Sequence, residues 1–202
     1  MEFQDVIRKR RMVRSYDDKP VPREAVDRIL RNATRAPSAG FSQGWAFLAL
    51  EGPEQTTVFW DLCMKDMIPA GQKGPDAPPV LILPLANKSA YLERYSEPDK
   101  LSAGMTDASN WPAPYWDIDT GMAALNMLLT AVDEGLGALF FGFTAGEKEL
   151  KEQLGIPPQY RPIGAIAIGW PAADDKPSGS PTSRPRKPKT ETLHYGRWGG
   201  TR

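Results

Sequence analysis

The stretch Trp116–Thr144, WDIDTGMAALNMLLTAVDEGLGALFFGFT, leaves this chain little choice of fold. Ile118, Met122, Leu125, Leu128, Leu129, Val132 and Leu136 recur at three- and four-residue steps, and Ala123, Ala124 and Ala131 fill the faces between them. The spacing predicts a helix that is apolar nearly all round and therefore buried on most sides. Asp117 or Asp119 can cap its start, and Gly135 with Gly137 ends it. The run 138–143, Ala-Leu-Phe-Phe-Gly-Phe, is continuously apolar and too short for a second helix, so it reads as a buried strand. A glycine near the end of such a strand marks a bulge or a close backbone approach, which makes Gly142 the first place to look for a ligand. A chain of 202 residues that must cover such a helix is one domain, or shares a larger core with a second chain.

Charge narrows the partners. Lys and Arg together number 25, as do Asp and Glu, so no overall field points to nucleic acid or a membrane surface. The basic residues are unevenly placed: Arg8, Lys9, Arg10, Arg11 and Arg14 crowd one end, and Arg184, Arg186, Lys187 and Lys189 the other. Cys63 is the only cysteine, which excludes an internal disulfide and a cysteine cluster for zinc. The polar, basic start lacks the apolar segment of a signal peptide, and no run approaches a membrane span, so a cytoplasmic setting is expected.

Taken in order, residues 2–10 predict a short helix burying Phe3, Val6 and Ile7. In the extended chain expected after it, Arg10, Met12 and Arg14 point to one side. Two guanidinium groups so placed either grip a phosphate or form a solvated basic patch. Pro22 and Glu24 open a second helix that buries Val26, Ile29, Leu30 and Ala33. It stops before Pro37. The loop of small and amide residues through Gly44 is either a plain turn or the seat of a flat polar ring, and Trp45–Leu50 follows as a strand. Residues 53–67 predict a third helix with Cys63 in its core face. Residues 69–79 are loop, and 79–86 form an apolar strand whose far end Pro84 assigns to an edge or bulge. Residues 87–116 show no period but carry Tyr91, Tyr95, Trp111, Tyr115 and Trp116, which argues for an ordered lid over a site, with a self-packed surface hairpin as the other reading. Thr144 to Glu147 fits a capping box for a charged helix, and 163–170 is a central strand. Residues 174–202 form a polar arm ending in aromatics. His194, the sole histidine, belongs to no catalytic or metal constellation and reads as structural. The whole is an α+β domain over 1–202, without a dinucleotide-type glycine loop.

These pieces, in this order, resemble the FMN-dependent nitroreductase family over nearly the whole chain. The resemblance rests on Arg10-Arg11-Met12-Val13-Arg14-Ser15-Tyr16, on Ala36-Pro37-Ser38-Ala39-Gly40-Phe41-Ser42-Gln43-Gly44-Trp45, and on the long Ala- and Leu-rich helix. Phe141-Gly142-Phe143, Gly155-Ile156-Pro157 and Arg184-Pro185-Arg186-Lys187-Pro188 complete it. It implies a mixed central sheet flanked by helices and an interlocked homodimer with FMN at the interface. It further implies that Arg10, Arg11, Arg14, Arg184 and Arg186 hold the phosphate and ribityl end of FMN, with backbone contacts from Met12. Pro37, Ser38, Ala39 and Gln43 would line the flavin ring from the partner chain, with Phe141 beside it and the Gly142 N–H facing N5. Phe41, Trp111, Tyr115 and Trp116 would meet the substrate, and the arm with Trp198 would wrap the partner. Three positions depart from the common pattern: Phe41 and Gly44 replace a frequent asparagine and proline, and Phe141 a frequent acidic residue.

The implied chemistry is hydride transfer from NAD(P)H through FMN to a flat acceptor, nitroaromatic or quinone-like, in a ping-pong cycle with no essential side-chain acid or base and no metal. Related flavin chemistry is the alternative: reductive dehalogenation, or fragmentation of flavin for the lower ligand of cobalamin. A non-catalytic flavin-binding protein, or a basic-ended adaptor, is the third reading.

Overall fold

Alternation along β2 explains the architecture. In the computed structural model, which describes residues 1–65, 78–177 and 180–202, strand β2 (Val80–Asn87) is buried on both faces. Val80 and Ile82 enter one apolar cluster, and Leu81, Leu83 and Leu85 enter another on the opposite side. A strand apolar on both faces needs cover on both, and two helical layers supply it. The first holds α2 (Arg23–Ala33) and α5 (Tyr115–Asp133). The second holds α3 (Gly52–Phe59), which continues as a π-helical turn over Trp60–Met64, and α6 (Glu147–Gln153). Cys63 is buried there, and burial pushes its thiol up to about 11, so it is a core residue rather than a nucleophile.

The sheet runs β1 (Trp45–Glu51), β2, β5 (Ala165–Gly169), β3 (Gly137–Phe141), with the short β4 (Tyr160–Pro162) on the far part of β2. A mixed sheet was the expectation. Among the described residues every strand pair is antiparallel, and the parallel element is a single bridge from Met12 to Ala138. Gly137 makes that bridge possible, because a Cβ there would stand 2.7–2.8 Å from the Val13 side chain. Pro84 lies inside β2 opposite Phe47, where the ladder accommodates it.

Several expected details are corrected by packing. Helix α1 (Phe3–Lys9) buries Val6 but leaves Phe3 and Ile7 exposed. Helix α5 begins at Tyr115, so neither Asp117 nor Asp119 caps it: Asp117 pairs with Arg161, and Asp119 is buried inside the helix. Nor is α5 covered all round. Ile118 and Leu125 are exposed and Met122 and Leu129 half-buried, a single stripe at helical spacing. The capping box before α6 is not formed. Gly146 takes the left-handed conformation instead, with the Leu62 carbonyl packed where a side chain would go. Residues 87–116 hold a helix, α4 (Lys88–Tyr95), capped by the Asn87 side chain. The end of the third predicted helix and the 69–79 loop up to residue 77 lie outside the described residues. No described helix is long and apolar enough to cross a membrane.

Candidate active site

The strand register gathers four chain ends at one end of the sheet. Trp45 pairs with Ala86, and Phe141 with Ala165, so the start of β1, the end of β2, the start of β5 and the end of β3 lie together. The loop 36–44 enters β1 there, α4 leaves β2 there, and Gly142 follows β3 there.

The loop is held by unusually specific bonds. The Ser38 hydroxyl accepts the Gln43 N–H at 3.0 Å, and the Ser42 hydroxyl donates to the Ala39 carbonyl at 2.7 Å. The Ala39 N–H donates to Asp119 Oδ2 at 2.8 Å, and the same oxygen accepts the Tyr91 hydroxyl at 2.8 Å. Arg94 Nε donates to the Gly40 carbonyl at 2.9 Å while its other nitrogens grip Asp99 and Glu97. Gly40 and Gly44 pack so closely on Tyr95 and Tyr91 that side chains there would strike the rings. Within this frame Phe41 and Gln43 both adopt left-handed backbone, at φ 57° and 48°, and Phe41 stands 74% exposed. Non-glycine residues in that region are strained and persist only where surroundings enforce them. Burial, and then the bond to Asp119, raise the Tyr91 hydroxyl pKa well above the ordinary range, so it stays a donor.

The five aromatics of 87–116 pack chiefly on one another. Trp111 is buried, with edge contacts to Tyr91, Tyr95 and Trp116 and a tilted contact to Tyr115, and its indole N–H donates to the Met105 carbonyl at 2.9 Å. Trp111 therefore offers no free face to a substrate, whereas Tyr115 and Trp116 are half-buried.

The second half of the site lies on β3. Met12 bridges Ala138, and the Val13 N–H donates to the Ala138 carbonyl at 3.0 Å, which lays the basic segment along the start of the edge strand. Arg10 ends α1, half-buried, and Arg14 is exposed. Arg11 is committed elsewhere: it forms an ion pair with Asp175, whose carboxylate also accepts the Arg14 and Ser15 N–H groups at 3.1 and 3.0 Å. Phe141 turns its ring onto Trp60, stacked at 5.9 Å and 7°, so only its backbone is left to the site. Gly142 is exposed, and a Cβ there would meet nothing within 4 Å. From Ala138 to Gly142 is about 14 Å at four residue rises. A basic end and a bare backbone donor at that separation suit a long ligand with an anionic tail and a polar ring, which is the form of FMN.

One chain does not unite these parts. The loop 36–44 belongs to the β1 edge and Gly142 to the β3 edge, about 14 Å apart across three strand spacings. Arg184 and Arg186 are exposed on the arm, beside the one-turn helices α7 (Ser180–Ser183) and α8 (Lys189–Thr192). Asp119, Tyr91 and Arg94 escaped the sequence reading as site residues. The available signal was a carboxylate, Asp119, within an otherwise apolar helix.

The model of the nitroreductase family matches residues 7–170. A protein of Archaeoglobus fulgidus, provisionally named NADH dehydrogenase/NAD(P)H nitroreductase, is 30% identical over 165 residues, 80% of this chain and 81% of its own. The FMN reductase (NAD(P)H) of Bacillus subtilis is 26% identical over 189 residues, 91% of this chain and 69% of its own. Among solved structures, a protein of Desulfovibrio desulfuricans provisionally identified as a nitroreductase, in complex with FMN, superposes with a TM-score of 0.69 at 25% identity, covering 96% of this chain and 95% of that one.

Proposed function

This chain belongs to the nitroreductase family, and from that premise we propose that it is an FMN-dependent oxidoreductase that takes reducing equivalents from NAD(P)H and delivers them to a flat acceptor, nitroaromatic or quinone-like. The observation that carries the reading is the bare backbone of Gly142 at the end of edge strand β3, with a basic segment along the start of the same strand. FMN, when bound, supplies the hydride-accepting and hydride-donating ring. The protein supplies position and charge.

Arg10 and Arg14, joined by Arg184 and Arg186, neutralise the phosphate through charge-assisted hydrogen bonds. Met12 offers backbone. Gly142 presents its N–H without a side chain in the way, and Phe141 contributes main chain only. Pro37, Ser38, Ala39 and Gln43 of a second copy line the ring, and Phe41, Tyr115 and Trp116 bound the space for donor and acceptor, which use one pocket in turn. Trp111 holds the aromatic segment together from within. Arg11 ties the N-terminal segment to Asp175 rather than to the cofactor. The homodimer this requires is supported by the Ile118, Met122, Leu125 and Leu129 stripe on α5, which leaves apolar surface uncovered on one chain.

The test is the visible spectrum of the purified protein before and after NAD(P)H without oxygen. A flavin spectrum that bleaches, with FMN released on denaturation, is expected. A colourless protein that takes up no added FMN sinks the reading, and a bound flavin that NAD(P)H leaves oxidised turns it towards specialised flavin chemistry.

A further inference from the structure

We infer that Asp119, with Tyr91, is a positioning residue: it clamps the 38–43 loop so that Phe41 projects into the acceptor space and sets acceptor affinity. The inference rests on the oxidoreductase reading and adds to it the group that orients the substrate wall.

Asp119 is 2% exposed, and Tyr91 is fully buried. One carboxylate oxygen receives two donors from different parts of the chain: the Ala39 N–H from the loop and the Tyr91 hydroxyl from α4, each at 2.8 Å. A carboxylate in an apolar layer is costly unless its bonds are made, and these bonds select one arrangement of three elements. What they select is a strained one. Beyond Ala39 the backbone turns left-handed at Gly40, stays so at the non-glycine Phe41, and does so again at Gln43. Only glycine adopts that conformation without penalty, so the loop would relax if Ala39 were released.

The strain has a consequence for the surface. It holds a large apolar ring, 74% exposed, off the body of its own chain, where it gains no packing. Burial cannot be the reason for such a ring, whereas contact with something outside the chain can. Arg94 holds the neighbouring Gly40 carbonyl from α4 as well, so the loop and the aromatic segment move as one piece. A purely stabilising role for Asp119 would account for its burial but not for the strained, solvent-facing residue at the end of the clamp.

The experiment pairs Tyr91→Phe, which keeps the ring and removes one donor, with Asp119→Asn and Asp119→Ala, each made also in a Phe41→Ala background. Three quantities are read: FMN content, kcat and acceptor KM in steady state, and the rate at which chymotrypsin cuts the Phe41–Ser42 bond of the flavin-free protein. Tyr91→Phe and Asp119→Ala should raise acceptor KM about tenfold, the size of one charge-assisted hydrogen bond, and move kcat and FMN content by no more than about twofold, since the phosphate contacts that anchor FMN lie outside this loop. Asp119→Asn, which retains an acceptor for Ala39, should recover part of that loss. Cutting after Phe41 should accelerate by a similar factor. In the Phe41→Ala background the same substitutions should leave KM unmoved, because the group they position is gone. Additive KM effects in that background, or unchanged KM and unchanged cleavage, overturn the inference. A wild-type protein without flavin defeats the functional reading and the acceptor role together, and the cleavage rates, which need no flavin, then decide the clamp alone.

Discussion

The loop 38–43, half-buried except at Phe41 and Gln43, and the largely exposed arm 180–202 are both expected at the flavin and are built in opposite ways. The loop is held from below by its own chain, through Asp119, Tyr91 and Arg94. The arm bonds to itself. Its tip closes through the Gly199 N–H donating to His194 Nδ1 at 3.2 Å, a His194–Trp198 ring contact at 4.2 Å, and Arg202 over Tyr195, while Trp198 stands 87% exposed. Its root is anchored, where Asp175 receives Arg11 and the Arg14 and Ser15 amides. In the dimer proposed above, the loop is shaped by its own chain before a partner arrives, and the arm would take its place from the partner.

That contrast can be broken in four ways. The largest effect should come from the arm: Arg184→Ala with Arg186→Ala removes the two charge-assisted contacts proposed for the phosphate, worth about 1.5–3 kcal/mol each, so FMN affinity should fall by roughly two to four orders of magnitude in a fluorescence titration. The fold itself, by circular dichroism, should not change. Leu125→Asp, on the uncovered stripe of α5, should convert the proposed dimer to monomers in sedimentation at micromolar protein, at a cost of about 3 kcal/mol for an unpaired buried charge. FMN should be lost with it, although Leu125 lies on neither half-site. If the protein stays dimeric, the stripe is not the interface.

A smaller effect belongs to the loop. Phe41→Gly relieves the left-handed backbone and removes little burial, so the melting temperature should rise, by about 0.5–1 kcal/mol of stability, while acceptor KM worsens. A fall in stability would mean that the ring is packed, not presented. The smallest effect is the anchor of the arm near neutrality. Burial alone would raise the Asp175 pKa, but the Arg11 side chain and the two amide donors outweigh it and hold the carboxyl below its ordinary value. A depressed folded pKa means that the stabilisation is fully present above the unfolded value, roughly 3.9, and is lost as pH falls through the folded one. Hydrogen exchange at the Arg14 and Ser15 amides, corrected for intrinsic rates, should therefore show constant protection from pH 5 to 8 and loss only in stronger acid.

Local pattern carried the fold a long way because its signals are short-range. The alternation of β2, the small apolar β5, the periodic α5 and the glycines after it are all readable in windows of a few residues. Misreadings came where a distant partner outweighed a local preference. Asp119 looks like a cap in sequence and is a buried acceptor because Ala39 and Tyr91 reach it. Thr144 looks like a cap and is displaced because the Leu62 carbonyl occupies the space that only Gly146 leaves open. Trp111 looks like a wall for substrate and is consumed by its aromatic neighbours.

By itself, the sequence determined the α+β layering, the apolar helix and strand at its centre, the basic character of the two ends and the family, since each follows from composition and order along the chain. Tertiary structure decided which acids are buried, which aromatics are free, that Arg11 answers to Asp175, and that the loop 36–44 and Gly142 stand on opposite edges of one sheet. Those are relations between residues remote in sequence, set by strand order and side-chain direction, and no local window contains them.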